Sequence, residues 1–390
     1  MREIEALYQS AVQLDPTYLD AWLELANARI KTYFWQFDQS ERMLQRATDA
    51  LDRAISLAPD DPAVLTEQGH HYYYGYRDYP RARQFYLKAA AKAPNDADVL
   101  SALGYIARRE GRFGECLHYL EEAWQRDPRN LSLIQDIAMV NAAGRRYAES
   151  RAAWLQAQDL EPELLWMQGT ERWQHFFEKG EWNEFETWLE GIPETTQRTD
   201  PVISSLVSNY LFMRNRLEEF LAWRRASMDP ENGFSAMELP LNERLDYAWI
   251  LKMMGREAES RPLLESVETA LRAEITLNPG DYQALLRLGV TLAGLGKHEE
   301  AIAMADRAQE AMPESADAVL GPSISQGRLQ VMIVCGRHEE ALDEIERLLQ
   351  IPWGGLNVYA LREQILYHSL KDLPRFTAII DDPRNNAPLF

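Results

Sequence analysis

Residues 97–128 read ADVLSALGYIARREGRFGECLHYLEEAWQRDP. The landmarks of this stretch are Leu103-Gly104, Gly111, Cys116, Leu120, Ala123 and Asp127-Pro128. Residues 282–313 carry Leu288-Gly289, Gly296, Ala301, Ala305, Ala308 and Pro313 at the same offsets. Pro94, Pro128 and Pro162 are spaced 34 residues apart, and Pro279 and Pro313 repeat that interval. A fixed period of this length marks a stacked solenoid, in which no unit buries its apolar face alone and stability accumulates over neighbours. Small residues are needed where helix backbones approach: Gly69, Gly104 and Gly289 in the first helix of a pair, Ala82, Cys116 and Ala301 in the second. Gly111 and Gly296 stand where the first helix should end in a left-handed residue. The prolines follow each second helix, because a ring without an N–H cannot continue the ladder and starts a new helix well.

This pattern resembles the tetratricopeptide repeat, with its bulky residue, Leu-Gly, small residue at the start of the second helix, alanine and proline. The fold expected is all-α: a right-handed superhelical solenoid of antiparallel helix pairs, about nine to ten units, some degenerate. Residues 1–162 read as an N-terminal lobe and 163–240 as degenerate helical repeats with a loop. Residues 241–352 read as a C-terminal lobe and 353–390 as a capping segment. The first fourteen residues look like a lone second helix, so the chain is expected to begin inside a repeat. The stretch 228–240 (MDPENGFSAMELP) has turn composition without periodicity.

Residues 367–376, Tyr-His-Ser-Leu-Lys-Asp-Leu-Pro-Arg-Phe, carry a second resemblance. They are similar to a signature, W-D-P-L-R-x-x-P-R-F, that closes the repeat region of bacterial signalling proteins with adenylate-cyclase, kinase or winged-helix domains. Tyr367, Ser369 and Lys371 replace its Trp, Pro and Arg. A capping role also suits this segment physically, with Leu370, Phe376, Ile379 and Ile380 covering the exposed apolar face of the last repeat. The resemblance also supplies an alternative reading, in which the chain is the sensor half of a larger regulator whose effector domain is absent.

The net charge of −20, from 61 acidic and 41 basic residues, argues against nucleic acid as a main partner, since phosphate neutralisation needs a basic surface. Cys116 and Cys335 form no disulfide framework, and Cys116 reads as core packing. No apolar run of membrane-spanning length and no signal-peptide core stand out, so no membrane insertion and a cytoplasmic location are expected.

Catalytic signatures are missing. His298-Glu299-Glu300-Ala301-Ile302 and His338-Glu339-Glu340-Ala341-Leu342 begin like a zinc-protease motif but lack its second histidine. Both histidines fill the place held by Phe113 and Tyr147 in other copies. No phosphate-binding loop, nucleophile elbow or C-x-x-C occurs, so no enzyme activity, cofactor or metal is expected. An unrecognised site around Trp166 to Trp188 is the enzymatic alternative.

Function then falls to a surface. The repeat resemblance implies that first helices line a concave groove. The residues it aims there are Asn27, Thr66, His70, Tyr73, Tyr74, Ser101, Tyr105, Arg108, Arg109, Gln135 and Met139. The run HHYYYGY at 70–76 combines rigid contact area with hydroxyls, a combination enriched at binding hot spots; the alternative for each ring is core packing. Residues 101–150 hold seven basic and seven acidic residues and 151–200 four and eleven, so Arg108 and Arg109 are placed to pair with a ligand carboxylate. A chaperone-tail clamp is disfavoured, because Leu23 and Glu67 occupy its Lys and Asn places. The expected partner is a protein or extended peptide; the loop 33–37 and the solenoid ends offer surfaces for a homo-oligomer.

Overall fold

The computed structural model describes residues 2–35, 37–228 and 235–390, and among them regular structure is helical throughout. No helix among these residues is long and apolar enough to cross a membrane. The chain divides into two compact units, 1–137 and 138–390.

The first unit opens with Arg2–Leu14, followed by the pair Leu19–Phe34 and Glu41–Leu57. The next pair is Pro62–His70, continued by a π-helical turn His71–Tyr76, and Tyr79–Lys92. Ala97–Arg109 pairs with Phe113–Arg126, and Leu131–Ala143 begins in this unit. The repeat landmarks act as the sequence implies. Gly111 has φ +78°, a conformation that lets the chain reverse between paired helices without a Cβ clash. At Gly104 an added Cβ would lie 3.2 Å from Leu120 and 3.3 Å from the Cys116 carbonyl. Cys116 is fully buried there, and burial pushes its thiol up to about 12, which leaves it a packing residue.

The prolines follow each second helix as expected, but they do not start the next one. Pro94 and Pro279 sit in the turn, and the next helix is started two residues later by Asp96 and Asp281. Their carboxylates accept from the backbone N–H groups of Asp98 and Val99, and of Gln283 and Ala284. The orphan donors of the first turn are thereby satisfied by an Asx cap.

The second unit carries Tyr147–Leu160 and Leu165–Lys179, then Asn183–Glu190, Glu194–Thr199, Pro201–Met213 and Leu217–Met228. The expected break at 228–240 falls partly outside the described residues; its later part holds a short 3-10 turn, Ala236–Glu238. Regular pairs resume with Leu241–Met253 and Glu257–Leu277, Tyr282–Gly294 and His298–Ala311, and Leu320–Val334 and His338–Leu348. Glu194–Thr199 has no counterpart in the sequence reading. The segment around 163–190 is a core of interlocked rings: Phe176 stacks on Trp182 at 3.9 Å, and Trp173 meets Phe185 edge-on at 5.3 Å. In the C-terminal segment Leu370, Phe376, Ile379 and Ile380 pack with Leu342 and Ile345 of His338–Leu348 in one buried cluster. Arg375 pairs with Asp343 and Glu346 at 2.6 and 2.8 Å on the same helix.

Candidate functional site

A groove of about 720 Å³ opens on the first unit, lined by its first helices and by Trp35 at the end of one of them. Nine of the eleven residues expected in a groove line it: Asn27, Thr66, His70, Tyr73, Tyr74, Ser101, Tyr105, Arg108 and Arg109. Gln135 and Met139 do not. The strip of Leu131–Ala143 that faces the groove runs through Ser132 and Asp136, four residues apart on one helix face. Gln135 and Met139 form the neighbouring strip, and Met139 is 55% exposed and belongs to the second unit.

The lining residues fall into three groups. Thr66 and Ser101 are buried and turn their hydroxyls inward, donating to the Pro62 and Asp98 carbonyls at 2.9 Å each. They shape the floor and offer no hand to a ligand. Tyr73 is also core: it is 3% exposed, its ring packs on Tyr79 at 5.3 Å, and its hydroxyl accepts from Arg109 Nε at 2.8 Å. Tyr74 is half-buried, edge-on to Phe34 at 4.8 Å, and burial holds its phenol well above the usual range. The remaining residues form polar pairs at the groove wall.

One pair joins Ala97–Arg109 to Leu131–Ala143. Tyr105 Oη donates to Asp136 Oδ2 at 2.7 Å, and Arg108 lies 3.5 Å from Asp136 Oδ1. Burial, then the Asp136 charge and hydrogen bond, raise the Tyr105 pKa far above neutral, so it remains a donor. The expected free guanidinium at 108 is therefore engaged by Asp136, and that at 109 by Tyr73. The second pair centres on Glu67, 5% exposed, which accepts from Asn27 Nδ2 at 2.9 Å and lies 3.1 Å from His70 Nδ1. Buried polar groups joined in this way fix rotamers before a ligand arrives. Sequence reasoning missed Asp136 and Glu67 as members of the site. Asp136 is legible as the residue one turn after Ser132; Glu67 reads from sequence only as a departure from a clamp.

The π-helical turn His71–Tyr76 continues directly from Pro62–His70 and ends at Arg77 with φ +52°. π-turns recur at functional sites because they reset side-chain direction within a helix. His71 is buried on the side away from the groove, 3.3 Å from Thr48 Oγ1. Burial lowers its pKa, against smaller opposing effects of Glu67 and Asp52. The unfolded chain takes up a proton near the ordinary pKa of about 6.5, whereas the folded chain does so only at lower pH. Stability is therefore expected to fall as pH drops from about 6.5 through the folded value. Thermal midpoints of the protein and His71→Gln at pH 7.5 and 5.5 check this: the variant should lose less on acidification.

Residues 282–314 match the tetratricopeptide repeat family. Among solved structures the chain is similar to yeast Tom70, with 12% identity, a TM-score of 0.51, and coverage of 89% of this chain and 88% of that one. It is also similar to YrrB, a TPR protein with an unusual peptide-binding site, at 15% identity and TM-score 0.35, covering 51% of this chain and 96% of that one. No curated protein sequence matches significantly. The chain therefore has the fold of tetratricopeptide-repeat proteins, and residues 282–314 carry a repeat that matches the family.

Proposed function

We propose that the protein is a non-enzymatic interaction scaffold whose first-unit groove takes an extended segment of a partner protein. The observation that carries this reading is the convergence of Asn27, His70, Tyr105 and Arg108 on one groove, where Glu67 and Asp136 already orient them. Aromatic walls supply contact area at low entropic cost, and the oriented amide, imidazole and guanidinium groups supply direction. The lining carries Glu24, Glu67, Asp96, Asp98 and Asp136 against Lys31, Arg108 and Arg109, a balance that supports a polypeptide ligand over a polyanion.

Filling the groove tests the reading. Ala63 and Ser132 are exposed and line it, so Ala63→Trp with Ser132→Trp adds bulk without touching the core. Affinity capture from native lysate should lose the specifically retained partner in the double variant at unchanged helicity. Equal capture by both proteins would overturn the assignment of the groove.

A further inference from the structure

The second unit holds a cavity of different chemistry, about 400 Å³, between the helices Pro201–Met213, Leu241–Met253, Tyr282–Gly294 and Leu320–Val334. Its walls are apolar, from Phe212, Trp249, Met253, Leu286 and Val290. Into this lining projects one carboxylate, Asp246. Among the described residues Asp246 has no hydrogen-bonding or ion-pairing partner: Arg224, whose charge acts on it, is paired with Glu243 at 3.5 Å. Asp246 is open to solvent, yet it lies in a concavity whose walls displace enough water to raise its pKa. The other charge of the lining, Arg287, is turned to the Gln283 carbonyl and Asn242 Oδ1. Asn209 and Gln330 place side-chain amides at the cavity that have no hydrogen-bonding partner among the described residues.

We propose that this cavity is a second recognition site, which takes a polypeptide segment bearing a lysine or arginine beside a bulky apolar side chain. The apolar walls accept the bulky group, and Asp246 gains the cation it lacks. The two amides each offer a donor and an acceptor, the complement of a peptide unit, which is why a polypeptide fits better than a small amine. The proposal is independent of the first-unit groove, because every group it uses lies in the second unit.

The test is fluorescence anisotropy with short fluorescein-labelled peptides of core Leu-Lys-Phe, and the same peptides with Glu or norleucine in place of Lys. The Lys peptide should bind at least about tenfold more tightly than the other two, and Asp246→Asn should remove that advantage. Asp246→Lys should invert the order in favour of the Glu peptide, a result that misfolding does not produce. Binding that ignores charge, an order unchanged by Asp246→Lys, or no binding of the Lys peptide would overturn the proposal. So would binding of 3-phenylpropylamine with no binding of any peptide, which assigns the cavity to small amines.

Discussion

Tyr86→Ala is expected to remove most of the stability of the first unit's central repeat. Tyr86 is 1% exposed and packs beneath the groove, where its ring occupies the space that a side chain at position 69 would fill: a Cβ there would stand 2.2 Å from it. His70 meets the same ring edge-on at 5.6 Å, so the floor of the site and the core of the repeat are one structure. Truncating a buried aromatic ring costs roughly 3–5 kcal/mol, through lost transfer energy and the cavity left behind. A helix pair stacked only on its neighbours has little in reserve against such a loss. The urea midpoint of the first unfolding transition should drop sharply for Tyr86→Ala and little for Tyr86→Phe. A change below about 1 kcal/mol in the alanine variant would mean that the ring is not the keystone of this packing.

Phe176→Ala should have a comparable effect in the second unit. Phe176 is fully buried, stacks on Trp182, and belongs to the cluster that includes Trp173, Phe185 and Trp188. Trp182 is itself held by a hydrogen bond from Nε1 to Glu363 at 3.1 Å. The loss expected is again roughly 3–5 kcal/mol, with part of it arising from the ring contacts themselves. Calorimetry of the variant should show a lowered midpoint for the second unit. An unchanged midpoint would contradict the reading of this aromatic stretch as core and return attention to it as a candidate reactive site.

The sequence was most legible where the repeat period is strict. Leu103-Gly104, Gly111 and Cys116, with their counterparts 185 residues on at Leu288-Gly289, Gly296 and Ala301, each mark a contact that only a small or left-handed residue satisfies. Helix pairs in the degenerate stretch were also readable, from turn residues such as Gly180 and Asn215, whose φ values are +76° and +55°. The π-helical turn was not readable. A run of adjacent tyrosines carries no spacing that separates an i→i+4 ladder from an i→i+5 one, and the rings of the turn pack on Phe34 and Tyr79, which lie outside the run. In the site, the residue types were legible and their states were not. Arg108 and Arg109 read as free cations because Asp136 and Tyr73 reach them from helices 28 and 36 residues away in sequence. Buried Thr66, Ser101 and Tyr73 share the groove periodicity, since floor and rim residues recur at the same interval.

The most direct measurement is site-specific photo-crosslinking in the native lysate. Benzoylphenylalanine would be placed singly at Ala63 and Ser132, inside the groove, and at Glu121, exposed on the second helix of the neighbouring pair. The account predicts the same partner band at Ala63 and Ser132 and none at Glu121. A band at Glu121 alone, or bands equal at all three positions, would contradict the first-unit groove as the partner's seat.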